Sequence, residues 1–215
     1  MSTARTYHHG DLRRALIDEG LQLARSGGPA AVTLREATRA AGVSPNAAYR
    51  HFADRDALVR AVAREAQLAL AAAIIERVDA APDDLAPAAA AIERLRRVGL
   101  AYIAFARAER GWFETAFFTQ DTHANDGIVT LDDEIVAPFR LLMDTLDAMV
   151  EAGALAAERR PYAEWACWSA VHGFADIAVH GPVRWQPAPV IDALAASVVE
   201  SAITGVRGTP ALPVA

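Results

Sequence analysis

The ten residues Val43 to Phe52, VSPNAAYRHF, gather an amide, a phenol, a guanidinium and an imidazole within six positions. A core helix would not set Tyr49, Arg50 and His51 side by side, and a plain solvated helix would not need Pro45, Tyr49 and Phe52. The chemistry these groups suit is recognition of duplex nucleic acid. Asn46 can pair bidentately with adenine and Arg50 with guanine, and Ala47 is small enough to lie against a thymine methyl. Tyr49 and His51 suit phosphate oxygens, and Ser44 and Pro45 fix a helix start whose N–H groups and dipole can face phosphate. Other reactive groups carry less. His123 with Asp121 and Asp126 lies in a polar loop without a second clustered ligand, so no metal is expected. His8 and His9 suit an arm near DNA. Cys167 beside Trp168 has no thiolate-stabilising cation and reads as a small core residue. The chain has no G-x-S-x-G, no P-loop and no dinucleotide fingerprint, so neither catalysis nor a cofactor is expected.

The surrounding sequence supplies the elements that would position this segment. Residues 10–25 have helical spacing, stopped by Gly27-Gly28-Pro29. Thr33-Leu34-Arg35-Glu36 is a capping box that opens a helix of about eight residues. Gly42 is a natural C′ residue, Val43 a candidate staple, Ser44 an N-cap and Pro45 an N1 residue. A short helix over 45–51 follows. Asp54 then caps a long helix to about Val78. Two short helices around a tight Gly-containing turn form a helix-turn-helix, whose second helix enters the major groove. Ala48 and Phe52 would turn inward to hold it.

The run YHHGDLRRALIDEGLQLARSGGPAAVTLREATRAAGVSPNAAYRHFADRDALVRAV resembles the N-terminal domain of the TetR family of bacterial transcriptional regulators. The matching features are the Leu-x-x-Ala-Leu/Ile helix, T-x-R-E-x-A, the A-G-V-S turn, and Y-R-H-F followed by D-R-D-A-L. The resemblance spans residues 7–63 without a gap. It implies phosphate contacts from Thr33, Ser44, Tyr49, His51 and Arg55, with Asn46, Ala47 and Arg50 in the base-reading slots. The family often has Lys at the position of Arg55, and either cation can contact phosphate.

Charge divides the chain. All 21 basic residues are arginine, and net charge is −6. Residues 1–63 nevertheless hold nine arginines against six acids, so the first quarter is basic and the remainder strongly acidic. With 53% hydrophobic residues the chain can build packed cores. One cysteine excludes an intrachain disulfide and any Cys-rich zinc site. No N-terminal leader and no apolar run of about 18 residues is found, which leads to an expectation of a cytoplasmic protein without a membrane span.

Beyond residue 80 the pattern stays helical, with no sustained strand signal, so the fold expected is all-α. Ala88–Ala108, Gly111–Phe118, Leu131–Val150 with a kink at Pro138, Pro161–His180 and Pro189–Ile203 read as helices, and 119–127 as a loop. The expected domains are 1–60 for DNA binding and 61–207 for effector binding and dimerisation, with a disordered tail at 208–215. The helix from Pro161 carries a bulky stripe (Trp165, Trp168, His172, Ala175, Val179) and a small one (Ala166, Ala170, Gly173, Ile177, Gly181). Two apolar faces imply packing on both sides. The small stripe, with Ile191, Leu194, Val198 and Ala202 of the last helix, suits a two-fold partner, and a homodimer would double the DNA site. W-S-A-V-H-G-F-A-D-I, residues 168–177, resembles a C-terminal subtype of the same family bearing a Trp…His-Gly motif. The family resemblance further implies a largely apolar effector pocket in the second domain. Its candidates are Tyr102, Phe105, Trp112, Phe113, Phe117, Phe139, Met143, Trp165, Trp168 and His172. The resulting expectation is a regulator, by family default a repressor, released from a pseudo-palindromic operator by a small molecule. An all-α enzyme and an effector-independent DNA-binding scaffold are the alternatives.

Overall fold

The computed structural model describes residues 9–80, 85–118 and 137–208, and among these every regular element is helical. The helices are α1 (His9–Ala31), α2 (Leu34–Ala41), α3 (Pro45–Ala48), α4 (Arg55–Asp79), α5 (Pro87–Ala108), α6 (Arg110–Phe117), α7 (Ala137–Glu151), α8 (Ala163–Val179) and α9 (Ala188–Gly208). Two short 3-10 turns, Ala157–Arg159 and Pro182–Trp185, flank α8. Packing divides the chain into two compact units, 1–67 with 109–129, and 68–108 with 130–215. The helix α4 is continuous through the division.

In the first unit α1, α2, α3 and the start of α4 close around Leu16, Ile17, Val32, Leu34, Ala37, Phe52, Leu58 and Val62. Burying each large aliphatic or aromatic side chain contributes about 1.5–3 kcal/mol, so this small core can hold short helices that would not persist alone. The helical path breaks at Gly28 (φ 63°, ψ −164°), within the expected Gly27-Gly28-Pro29 stop, and one further helical turn follows to Ala31. The unit also takes in α6, which packs along α1. The Trp112 indole N–H donates to the Leu21 carbonyl (2.8 Å), Arg25 donates to the Glu109 carboxylate (2.5 and 2.7 Å), and Gln67 donates to the Ala116 carbonyl (2.9 Å). The sequence pattern placed α6 in the second domain.

In the second unit α5 is central and packs against α7, α8 and α9. Ion pairs tie α5 to α9 at two levels, Arg96 with Glu200 and Arg107 with Asp192. Pro138 lies in the first described turn of α7, and residues 131–136, where the helix was expected to begin, lie outside the described residues. The loop 119–127, with Asp121, His123 and Asp126, and residues 209–215 lie outside the described residues, whereas Gly208 still belongs to α9.

Candidate nucleic-acid interface and effector cavity

Local chemistry sets the α2–turn–α3 geometry. Thr33 accepts from the Glu36 N–H through its side chain (3.1 Å) and so starts α2. Glu36 places its carboxylate on Arg39 (2.6 and 3.0 Å). At the other end Gly42 adopts the left-handed region (φ 69°, ψ 28°). Its N–H reaches the Arg39 and Thr38 carbonyls, and the Val43 N–H bonds the Thr38 carbonyl (3.0 Å). This closes the helix end and reverses the chain within three residues, which an L side chain at Gly42 would strain.

The recognition segment is shorter than the expected 45–51. The α-helix ends at Ala48, and a turn continues through His51, with Phe52 N–H bonded to the Ala48 carbonyl (2.9 Å). Ser44 stands at the N-cap position, but its hydroxyl makes no cap bond. Ala48 and Phe52 are buried and anchor the segment, and Arg13 of α1 lies over the Phe52 ring (5.3 Å). Ser44, Pro45, Asn46, Tyr49 and Arg50 are exposed, Tyr49 by 57%, while Ala47 and His51 are half-buried. One surface therefore presents an amide, a phenol and a guanidinium from a short, anchored turn.

Arg55, expected on phosphate, makes bonds within its own unit. Its guanidinium donates to the carbonyls of Pro29 (2.6 Å), which also accepts from the Val32 N–H (3.3 Å), and of Val32 (2.9 Å), in and just beyond the last turn of α1, and approaches Asp56 (3.5 Å). It fastens the α1–α2 corner to the start of α4, where Asp54 accepts from the Ala57 N–H (2.7 Å).

The second unit contains a cavity of about 30 Å³ between α5, α7, α8 and α9. Leu95, Val98, Gly99 and Tyr102 line it from α5, Pro138 and Leu142 from α7, Cys167, Trp168 and Val171 from α8, and Val199, Ala202 and Ile203 from α9. Beside it Tyr102 and His172 share a hydrogen bond between the phenol oxygen and Nδ1 (2.7 Å). Trp168 stacks on His172 (5.4 Å, 10°) and meets Tyr102 and Phe139 edge-on. Burial pushes the Tyr102 phenol well above its ordinary range and holds the His172 imidazolium below its own, against a smaller opposing pull from Asp176. Both groups are neutral at pH 7.

A family model described as the tetracyclin repressor-like C-terminal domain matches residues 95–202. A second, for bacterial regulatory proteins of the tetR family, matches residues 16–62. The chain belongs to the TetR family. It is therefore a DNA-binding transcriptional regulator with a ligand-responsive architecture. A solved structure of a protein with unknown function from Rhodococcus sp. RHA1 is 26% identical with a TM-score of 0.72, covering 94% of this chain and 98% of that one. A regulatory protein of the tetR family from Rhodococcus RHA1 is 20% identical with a TM-score of 0.60, over 93% and 98% of the two chains. The regulator FadR from Bacillus subtilis, in complex with stearoyl-CoA, is 14% identical with a TM-score of 0.61, over 89% and 98%. At these last two identities the likeness concerns the fold. No curated protein matches.

In this TetR-family regulator the expected effector residues do not all gather. Tyr102, Trp168 and His172 form one cluster, extended by Phe139 and Trp165, whose rings are 5.0 Å apart. Trp165 itself is 46% exposed, Phe105 is buried in the same unit and Met143 is half-buried on α7. Trp112, Phe113 and Phe117 belong to the first unit, where they consolidate α6; Phe113 packs against Phe117 and Phe118. The aliphatic lining from Leu95, Val98, Gly99, Val171, Val199 and Ile203 was not foreseen, although a glycine inside the α5 run marks a close helix approach.

The expected dimer residues also divide. Ala166 is exposed, Ala170 and Gly173 are half-buried, and a Cβ at Gly173 would meet nothing within 4 Å. Ile177 (45% exposed) and Leu194 (40%) stand out from the surface, and Val198 is half-covered. Ile191 is buried within the unit, Ala202 is half-buried and lines the cavity, and Gly181 is half-buried, with a Cβ position there 2.7 Å from the Ile177 carbonyl oxygen. Among the described residues one helix, α9, is long and apolar enough to cross a membrane, yet only 28% of that stretch is buried. Its Asp192 and Glu200 are paired with Arg107 and Arg96 of α5, which ties this helix into the second unit.

Proposed function

We propose that the chain acts in the cytoplasm as a homodimeric repressor that leaves a pseudo-palindromic operator when a largely apolar effector enters the second unit. The observation that carries the reading is the anchored turn that exposes Asn46, Tyr49 and Arg50 above the buried Ala48 and Phe52. Asn46, Ala47 and Arg50 read base edges. Tyr49, His51, Ser44 and Thr33 take phosphates, with Pro45 setting the helix start. The uncovered small stripe of α8 and the exposed face of α9 support a two-fold partner built on Gly173, Ile177 and Leu194. The stack of Trp168 on His172, next to Gly173, supports the Trp-His-Gly subtype. Transmission rests on chain continuity. The helix α4 runs through both units, and α5, which lines the cavity, is followed at once by α6, which packs on α1. An effector would shift the population toward a recognition-helix spacing other than the about 34–36 Å of one DNA turn. FadR was solved with an acyl-CoA, a precedent for an apolar ligand body on this fold.

The test is an operator-binding assay across ligand classes. A repressor predicts operator affinity about 10³-fold or more above random DNA, falling when an effector is added. Equal affinity for all sequences would replace this reading with a DNA-coating scaffold, and turnover of a bound ligand with an enzyme.

A further inference from the structure

We propose that the cavity between α5, α7, α8 and α9 takes a small, uncharged, hydrocarbon-rich molecule with at most two hydrogen-bonding groups, and that Gly99 sets the size it accepts. The proposal deepens the effector reading and rests on it.

The described lining disfavours charge. None of its twelve residues is ionised at neutral pH. Burial, with Glu164 nearby, pushes the Cys167 thiol up to about 11, so it stays protonated. The α5 arginines tied to α9 are already neutralised, Arg96 by Glu200 and Arg107 by Asp192. A carboxylate or phosphate carried inside would lose its hydration without meeting a cation. The hydrogen-bonding side chains of the described lining are few: the Tyr102 hydroxyl, held in place by His172, and the Trp168 indole N–H. A ligand with one or two polar groups can share them, and a ligand with many leaves the rest unsatisfied.

Size follows from Gly99. The cavity of about 30 Å³ holds little more than two water-sized bodies, whereas a benzene-sized guest needs about 150 Å³. Binding therefore has to widen the space between the lining helices, and Gly99 is where α5 leaves the least room for a side chain against Val199 and Val171. A Cβ on Gly99 would lie 3.0 Å from Val199 Cγ2 and 3.4 Å from Val171 Cγ2. Alanine is the better helix former at this interior position, so glycine here favours space over helix stability. An added methyl group would take up room beside Val199 and Val171, both of which line the cavity.

The experiment measures thermal unfolding and calorimetric binding of the full chain with toluene and with benzoate, in the wild type, Gly99→Ala and Ala202→Leu. The second variant fills the same space from α9. Toluene is expected to bind and raise the melting midpoint, benzoate to bind at least about a hundredfold more weakly, and each variant that melts cooperatively to lose about tenfold or more in toluene affinity. If one variant does not fold, the other decides. Benzoate binding as well as toluene, no binding of toluene, or folded variants with unaltered affinity would overturn the proposal. Toluene binding without any change in operator affinity supports the cavity and defeats the effector reading. Operator release by a charged ligand seated in this cavity does the reverse.

Discussion

Replacing Arg55 separates two roles that a cation next to the recognition segment could play. Its side chain is 45% exposed and donates to two carbonyls at the end of α1. Hydrogen bonds from charged donors contribute about 1.5–3 kcal/mol when buried, but half-exposure lets water replace part of each. About 1–2 kcal/mol for the pair is then the expected loss in Arg55→Ala, or roughly 2–8 °C in melting midpoint for a chain of this size. Arg55→Lys should recover less than half, because an ammonium cannot reproduce the planar fork that spans Pro29 and Val32. The decisive assay is operator affinity against salt. A phosphate contact contributes about 0.9 to the slope of log affinity against log salt, per protomer. If Arg55 fastens α1 to α4, the slope stays at the wild-type value while stability drops. A slope reduced by about two per dimer with unchanged melting would refute the clamp and restore the phosphate role.

Four other perturbations test separate links. Gly42→Ala meets no neighbour, so its cost is the left-handed backbone alone, about 1–2 kcal/mol in denaturant unfolding; a neutral result would mean the turn relaxes. Arg50→Ala should cost about 1–3 kcal/mol and blur one base position of each half-site, and an unaltered sequence preference would remove it from base reading. Gly173→Leu has room inside its own subunit, so it should leave melting of the fold intact and shift sedimentation toward monomer; a persistent dimer would exclude that face. His172 is held neutral, with its folded pKa below the unfolded one. Its contribution to stability is thus complete above the unfolded value near 6.5 and declines as pH falls from there toward the folded value. Melting curves from pH 7.5 to 5.5 should lose this component in His172→Gln, and identical pH profiles would show that the imidazole is not the titrating group.

What could be read from the sequence was local. The Thr33 cap, the Gly42 turn, the Asp54 cap and the inward Phe52 each depend on residues within a few positions, and one-dimensional spacing carries that information. Contacts over long separations escaped it. Trp112 looks like a pocket aromatic until its indole is seen on the carbonyl of Leu21, 91 positions away. Arg55 reads as a phosphate ligand from its place beside the recognition segment, and its bond to the Pro29 carbonyl, 26 positions upstream, shows only in the fold. The two stripes of α8 were visible from periodicity, but which α9 residues face inward was not: Ile191 and Leu194 are both apolar, and only packing against α5 and α8 buries the first. The cavity lining was hidden for a similar reason, since Val171 and Val199 read as ordinary core.

The central claim is that the anchored turn reads DNA sequence as part of a two-fold pair. Selection of random duplex DNA by the purified full chain at near-physiological salt tests it most directly. The account predicts an enriched inverted repeat whose half-sites lie about one helical turn apart, bound by two protomers. Enrichment of a single unrepeated site, or weak binding shared by all sequences, would contradict it.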